Sequence, residues 1–408
     1  MGMDSHSTQH PPLALEYVLP LRWHDDAGLA ELTGYLSRLR QWADVTVVDG
    51  SPADIFARHA EAWGQLVRHL PVAAWPGRNG KVAGVVTGVR QARHEAVVIA
   101  DDDVRYDRDS LRKVTALLAG ADLVRPQNYF DPLPWHARWD TARSLLNRAL
   151  GSDYPGTFAV RRSAFVAMGG YDGDVLFENL ELSRTVRAAG GREVRAGDVF
   201  VTRRPPSTRH FLGQRVRQAY DDLAQPARLV AEAAIVPWVV GTVRTAVTAN
   251  SAARRRARRQ LAGALTLALG MAEVGRRRSG GRSVFPTTSA LWAPAWIAER
   301  AVCIWVALGY RWTGGVPYAG RRLATAAHSV RWLRRRHLDL DLTLRSSSGR
   351  PRSRGHQQHP DQGDDGADYE PLRVPGHEAA GNEVEPLAHP EQADEHRHQA
   401  QSGEQAVP

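Results

Sequence analysis

The sequence predicts an α/β fold, a doubly wound, mostly parallel sheet followed by a helical region and a polar tail. Three observations lead there. Over the first two hundred positions, short β-branched runs alternate with helix-length amphipathic stretches, the rhythm of parallel strands joined by crossover helices. Near residue 226 this gives way to three longer apolar patches separated by arginine runs. After Leu344 the chain is mostly Gln, His, Gly, Asp, Glu and Pro, a composition that cannot bury enough apolar surface to fold. The expected divisions are a disordered N-terminus over 1–14, an α/β domain over 15–225, a helical region over 226–344 and a disordered acidic tail over 345–408.

Taken in order, 15–21 reads as a first strand and 29–39 as a helix with Leu29, Leu32, Tyr35, Leu36 and Leu39 on one face. A second strand, 44–48, ends in Asp49-Gly50-Ser51-Pro52, which is turn chemistry carrying one carboxylate. A helix over 53–66, a short strand over 66–72, a loop over 75–80 and a helix over 81–92 precede the strand 96–100. Residues 109–119 read as a helix and 123–126 as a short strand. The stretch 129–155, rich in aromatics, Pro and Arg, suits a binding surface more than a sheet layer. A strand over 158–160, a helical turn over 163–168 stopped by Gly169-Gly170, a helix from 177 to 190 and a last strand over 193–201 complete the domain. The patches 233–243, 261–272 and 289–310 fall short of a clean spanning helix, which wants about 20 apolar residues. The first contains Pro237 and the third carries Glu299-Arg300. Flanked by Arg and Trp, they fit helices lying in or dipping into a cytoplasmic leaflet.

A chain of 408 residues with 43% apolar residues has ample core for an enzyme. Its net charge of +9 rests on arginine, since Lys81 and Lys113 are the only lysines. The tail from Arg345 holds twelve Asp and Glu against six Arg, so the body is more basic than the whole. Such a body prefers phosphates or anionic lipid. The runs at 254–259 and 276–282 have no nucleic-acid motif beside them, and no nucleic-acid partner is expected. A single cysteine, Cys303, excludes an internal disulfide and a Cys-based zinc site and points to a cytosol-facing protein. The first fourteen residues lack a basic-then-apolar signal pattern.

The densest chemistry is at 97–104, where Val-Val-Ile-Ala runs into Asp101-Asp102-Asp103. Carboxylates at the end of a buried strand sit in the crevice where open α/β sheets bind ligands. Alternation puts Asp101 and Asp103 on one side, suited to a hard cation such as Mg²⁺ or Mn²⁺ that shares its shell with substrate phosphates.

With Val47-Val48-Asp49-Gly50-Ser51, the helix start at Gly80-Lys81, Ala100-Asp101-Asp102-Asp103 and the Gly169-Gly170 to Glu178 segment in this order, the chain resembles the family 2 glycosyltransferases of the GT-A fold, membrane-associated bacterial type, over about residues 15–222. The resemblance implies that Asp49 contacts the base or ribose of a nucleotide-sugar donor, that Lys81 is the positive residue near the nucleotide, and that Asp101 and Asp103 are the ends of the DxD motif. Asp101 then faces the nucleotide and Asp103 the diphosphate-bridging metal. It also implies inverting transfer to a hydroxyl.

Two departures stand out. Where the family has Glu-Asp-x-Asp-Leu, with its second residue as base, this chain has Glu178-Asn179-Leu180-Glu181-Leu182, and Asn179 cannot take that role. Glu178 and Glu181, three apart on a helix, can face one cleft; either is a candidate base, with Glu178 favoured at the helix start. In the Gln-x-x-Arg-Trp motif of processive members, Gln214 and Arg217 are kept and Gln218 replaces Trp, which argues against long-polymer synthesis. Arg217 remains a candidate for binding diphosphate. The expected function is thus metal-dependent sugar transfer at the cytoplasmic face of the membrane, onto a lipid-linked or cell-envelope acceptor. A sugar-nucleotide pyrophosphorylase would want a glycine-rich loop where Pro20-Leu21-Arg22-Trp23 stands; a catalytically silent sugar-nucleotide-binding scaffold would explain Asn179.

Overall fold

The computed structural model describes residues 11–336 apart from Ser152 and Ala319. Most of the expected N-terminal segment and the whole acidic tail lie outside the described residues. The strands are β1 (Leu15–Leu21), β2 (Asp44–Asp49), β3 (Arg68–Pro71), β4 (Ala96–Ala100), β5 (Val104–Arg105), β6 (Leu123–Phe130), β7 (Thr157–Arg161) and β8 (Glu193–Arg203), with a hairpin of β9 (Val316–Tyr318) and β10 (Arg321–Leu323). The helices are α1 (Leu29–Leu39), α2 (Ala53–Trp63), α3 (Gly80–Gln91), α4 (Arg108–Leu117), α5 (Trp135–Leu150), α6 (Arg162–Ala167), α7 (Glu178–Ala188), α8 (Thr208–Gly213), α9 (Arg215–Tyr220), α10 (Pro226–Thr248), α11 (Ser251–Arg277), α12 (Thr287–Ala290) and α13 (Ala293–Trp312).

Strand β1 has no solvent face, since all seven of its residues are buried. A strand buried on both sides requires helices on both faces of the sheet. Tyr17, Leu19 and Leu21 pack with Leu32, Leu36, Leu39 and Trp63 on one face, while Val18 packs with Val82, Val85 and Val89 of α3 on the other. Even Glu16 is buried. Its carboxylate accepts from Thr46 Oγ1 (2.5 Å), Arg93 N (3.0 Å) and Arg68 Nη2 (3.3 Å), which satisfies a charge that burial alone would expel.

The eight strands run in the order β3-β2-β1-β4-β7-β6-β8-β5. The pairs β1·β2, β1·β4, β2·β3 and β6·β8 are parallel, and β4·β7, β6·β7 and β5·β8 antiparallel. This is the doubly wound, mostly parallel sheet expected. Strand β6 outruns the expected 123–126 because a register shift between Pro126 and Gln127 lets it stay paired with β8 as far as Phe130.

The stretch 129–155 departs from expectation. It holds the sixteen-residue helix α5, most of it buried. Its apolar period is hard to see because polar residues line the buried side, each with a partner. Ser144 Oγ and Asn147 Nδ2 donate to Asp153 (2.5 and 2.8 Å), and Arg148 donates to the carbonyls of Gly275 (3.0 Å) and Gly197 (2.9 Å) and to Gln127 Oε1 (3.0 Å).

The apolar patches beyond 226 belong to α10, α11 and α13, packed on α5, on α9 and on one another. The first patch sits in a helix of 23 residues that continues through Pro237. By length and composition, Pro226–Thr248 and Thr287–Trp312 are able to cross a membrane, so the first patch is longer than the sequence suggested. Glu299 and Arg300 on α13 face inward. Glu299 Oε2 accepts from Trp139 Nε1 (2.8 Å) and lies 3.4 Å from Arg215, and Arg300 lies 3.2 Å from Asp222.

Helix α11 approaches α5 so closely that a Cβ on Gly275 would lie 1.8 Å from Leu145 O. Backbone on both sides leaves no flexible side chain to yield. Gly275→Ala is therefore expected to destabilise the chain by about 1–3 kcal/mol, with an earlier midpoint in urea denaturation. An unchanged midpoint would show that the α5–α11 contact is not tight in solution.

Candidate active site

A cleft of about 650 Å³ opens at the carboxyl ends of β1, β2 and β4. Such an edge gathers strand-end side chains and helix N-termini in one place. The N-terminal turns of α3 and α7 deliver Lys81, Glu178 and Asn179, β8 delivers Arg203, and the α8–α9 segment delivers His210, Gln214, Arg217 and Gln218.

Lys81 Nζ lies 2.6 Å from Asp101 Oδ1 and 2.6 Å from Glu178 Oε1. Burial alone would favour its neutral form, but the charges of Asp101 and Glu178 outweigh that and raise its pKa. Its position is fixed by Asn79, whose Oδ1 caps α3 by accepting from Lys81 N (3.1 Å) and also accepts from Tyr318 Oη (3.0 Å).

The aspartate run lies in the turn that follows β4, and all three of its members line the cleft, so the alternation expected of a strand does not hold there. Asp102 accepts from Trp23 Nε1 (2.5 Å). Asp101 and Asp103 share Arg203, with Nη2 at 3.7 Å from Asp101 Oδ2 and Nε at 2.8 Å from Asp103 Oδ2. Burial pushes Asp103 up to about 6, resisted by Arg203 and aided by Asp101 and Asp102. Its Oδ1 is buried and has no hydrogen-bond partner among the described residues. Two crowded carboxylates with an unsatisfied oxygen fit a hard divalent cation, which would relieve their repulsion. Gly156 is part of this arrangement, because a Cβ there would lie 2.5 Å from Asp101 Oδ2.

The other expected residues are placed unequally. Asp49 is buried, and Gly50 rather than Asp49 lines the cleft. Its Oδ2 accepts from His59 Nδ1 (2.6 Å) and His69 Nε2 (3.1 Å), and its Oδ1 from Ser51 N (2.8 Å). Burial raises the Asp49 carboxyl, but bonds from His69, Ser51 and His59 outweigh it and hold the group well below the usual carboxylate range. Glu178 reaches the cleft, whereas Glu181 is wholly buried and accepts from His328 through backbone N (2.7 Å) and Nδ1 (2.8 Å). The two glutamates thus do not share one cleft. Gln214 and Arg217 both line it, with Arg217 5.0 Å from the Tyr318 ring centre. Gln218, in the expected Trp position, accepts from Arg215.

Sequence reading missed Arg203, Asp221 and Tyr318, all of which line the cleft. Arg203 ends a strand among many arginines, and Tyr318 comes from a hairpin far along the chain, so neither carries a local signal.

Removing the cation between Asp101 and Glu178 tests this electrostatic core. Lys81→Met is expected to cost roughly 1–3 kcal/mol at pH 8, discounted because the lysine side chain keeps 24% of its exposure. The loss should shrink toward pH 5, where a carboxylate left without its partner can take up a proton. Denaturation of both proteins at the two pH values reads the difference; a gap that widens on acidification would contradict it.

A search of curated proteins returns no match. Among solved structures the chain is similar to the mannosyltransferase PcManGT from Pyrobaculum calidifontis in complex with GDP-Man and Mn²⁺, at 20% identity and a TM-score of 0.41, over 71% of this chain and 86% of that one. It is also similar to glucosyl-3-phosphoglycerate synthase from Mycobacterium tuberculosis in complex with Mn²⁺ and UDP-glucose, at 19% identity and a TM-score of 0.37, over 52% and 78% of the two chains. Residues 45–220 match the family model described as Glycosyltransferase like family 2, a span that holds Asp49, Lys81, Asp101, Asp103, Glu178, Gln214 and Arg217. Over that span, somewhat under half of its length, the chain is similar to the family 2 glycosyltransferases.

Proposed function

We propose that the chain transfers a sugar, with inversion, from a nucleotide-activated donor to a hydroxyl of a lipid-linked or cell-envelope acceptor at the cytoplasmic face of the membrane. The observation that carries the reading is the meeting of Asp101 and Asp103 with Lys81, Arg203 and Arg217 in one cleft. Asp101 and Asp103 would hold a divalent cation, Mg²⁺ or Mn²⁺. When bound, it offsets the charge that develops on the leaving diphosphate. Arg217 and Gln214 face the same space and suit the phosphate oxygens. The base and ribose lie over Gly50, with Asp49 holding that turn through Ser51 N. Glu178 is the member of the Glu178–Glu181 pair that lines the cleft, and its carboxylate is paired with Lys81.

Nucleoside diphosphate release from UDP- and GDP-sugars tests the reaction. Turnover is expected to require Mn²⁺ or Mg²⁺ and to fall at least ~100-fold in Asp103→Ala. Metal-independent turnover, or equal rates in the two proteins, would sink this mechanism.

The membrane location draws support from the outer helix faces. Val240, Val243 and Val247 on α10 and Trp305, Val306 and Trp312 on α13 are exposed, and so are Arg254, Arg255, Arg256, Arg258 and Arg259 on α11. Apolar side chains beside a cationic run match an anionic leaflet, at about 1 kcal/mol for each arginine near the surface. Co-sedimentation with phosphatidylglycerol vesicles should exceed that with phosphatidylcholine, and should weaken with salt and with glutamine at the five arginines. Full recovery in the supernatant with both lipids would refute the location.

A further inference from the structure

Six carboxylates line the cleft: Asp101, Asp102, Asp103, Asp140, Glu178 and Asp221. Five have partners. Asp101 and Glu178 share Lys81, Asp103 takes Arg203, Asp102 accepts from Trp23, and Asp140 lies 3.2 Å from both Arg143 and Arg215. No hydrogen bond or ion pair reaches the Asp221 carboxylate among the described residues. Its neighbour in the same 3-10 turn is its opposite. Asp222 is buried away from the cleft and ion-paired to Arg300 (3.2 Å) and Arg228 (3.1 Å). The turn thus anchors itself through one aspartate and presents the other to the cleft.

We propose that Asp221 is the catalytic base of the transfer, taking the role that Asn179 cannot fill. The assignment rests on the glycosyl-transfer reading above. The acceptor oxygen forms a bond to the anomeric carbon while the bond from that carbon to the donor's phosphate oxygen breaks. That bond's electron pair leaves with the nucleoside diphosphate, and the acceptor's proton passes to an Asp221 oxygen and then to solvent. A base needs a free lone pair facing the acceptor, and Asp221 is the cleft carboxylate not already committed to a donor or cation.

The surroundings tune it for this work. Burial pushes Asp221 up to about 8, opposed by Arg217 on α9 and Arg300 on α13 and reinforced by Asp222 beside it and Glu178 on α7. Arg143 on α5 also feels its charge. A base is most effective when its pKa lies near the working pH. Because the ionised form is the active one, the rate falls as pH drops below that value and levels off above it.

The test uses the full chain, with UDP-glucose and GDP-mannose as probes, Mn²⁺ present and water standing in for the acceptor. Wild type should show an acidic limb in kcat/KM with its half-point near 8. Asp221→Asn should lower kcat by ~10²–10⁴-fold, leave the donor-induced rise in Tm unchanged and lose the limb from its residual rate. Asp221→Glu keeps the charge; partial recovery with a displaced limb supports the assignment and serves if Asp221→Asn does not fold. Asp221→Asn within threefold of wild type, or a limb unchanged in both variants, overturns it. Absence of turnover in wild type with every donor strikes at the glycosyl-transfer reading instead and removes both.

Discussion

The contact on which the site depends is the ammonium of Lys81 between Asp101 and Glu178. It joins the end of β4, the start of α3 and the start of α7, and its partners are far apart in sequence. Two carboxylates this close repel each other, and the ammonium between them offsets that repulsion. The choice of lysine is informative in a chain that otherwise uses arginine almost throughout. An ammonium is a compact point charge with three donors that can face two carboxylates at once, where a guanidinium imposes a planar fork. Placing it in the first turn of α3 opposes the helix dipole, which the two carboxylates and the Asn79 cap offset.

From that contact the other groups follow by charge balance. The aspartate run needs a second cation, and Arg203 supplies it from β8, the strand next to short β5 at the sheet edge. The far wall is built by chain that returns after α13. Leu176 N and Phe177 N donate to Thr325 O (3.0 Å) and Ala326 O (2.8 Å), His328 clamps Glu181, and Tyr318 reaches Asn79. The segment before α7 is thus fixed from the C-terminal side, so the residues beyond 226 are structural parts of the cleft.

The parts legible in the sequence are those that local chemistry writes. β1, β2 and β4 are short apolar runs, and the aspartates after β4 are too polar for a core, so both the strand and the cleft at its end could be read. Helix α5 could not be read, because its buried side is polar and its partners come from distant segments. Glu181 failed for a related reason. Helical spacing put it with Glu178, but only the fold shows His328 covering it. Asp221 and Asp222 are adjacent and identical in type, and nothing local tells which one anchors the turn and which one faces the cleft.

Helix α13 draws these strands together. Its inner face holds Trp296, Arg300, Ile304 and Ala307, all buried, with the half-buried Glu299 bonded to Trp139, and its outer face holds Val302, Trp305, Val306 and Trp312. Arg300 fixes Asp222, the anchor of the turn that carries Asp221. A helix that crossed a bilayer alone would leave Glu299 and Arg300 in hydrocarbon and release that anchor, a cost of several kcal/mol for each charge. Lying in the interface costs neither charge its partner and covers the outer tryptophans with lipid. On the proposed membrane reading, the same helix therefore sets the height of the cleft above the leaflet and the position of its unpaired carboxylate.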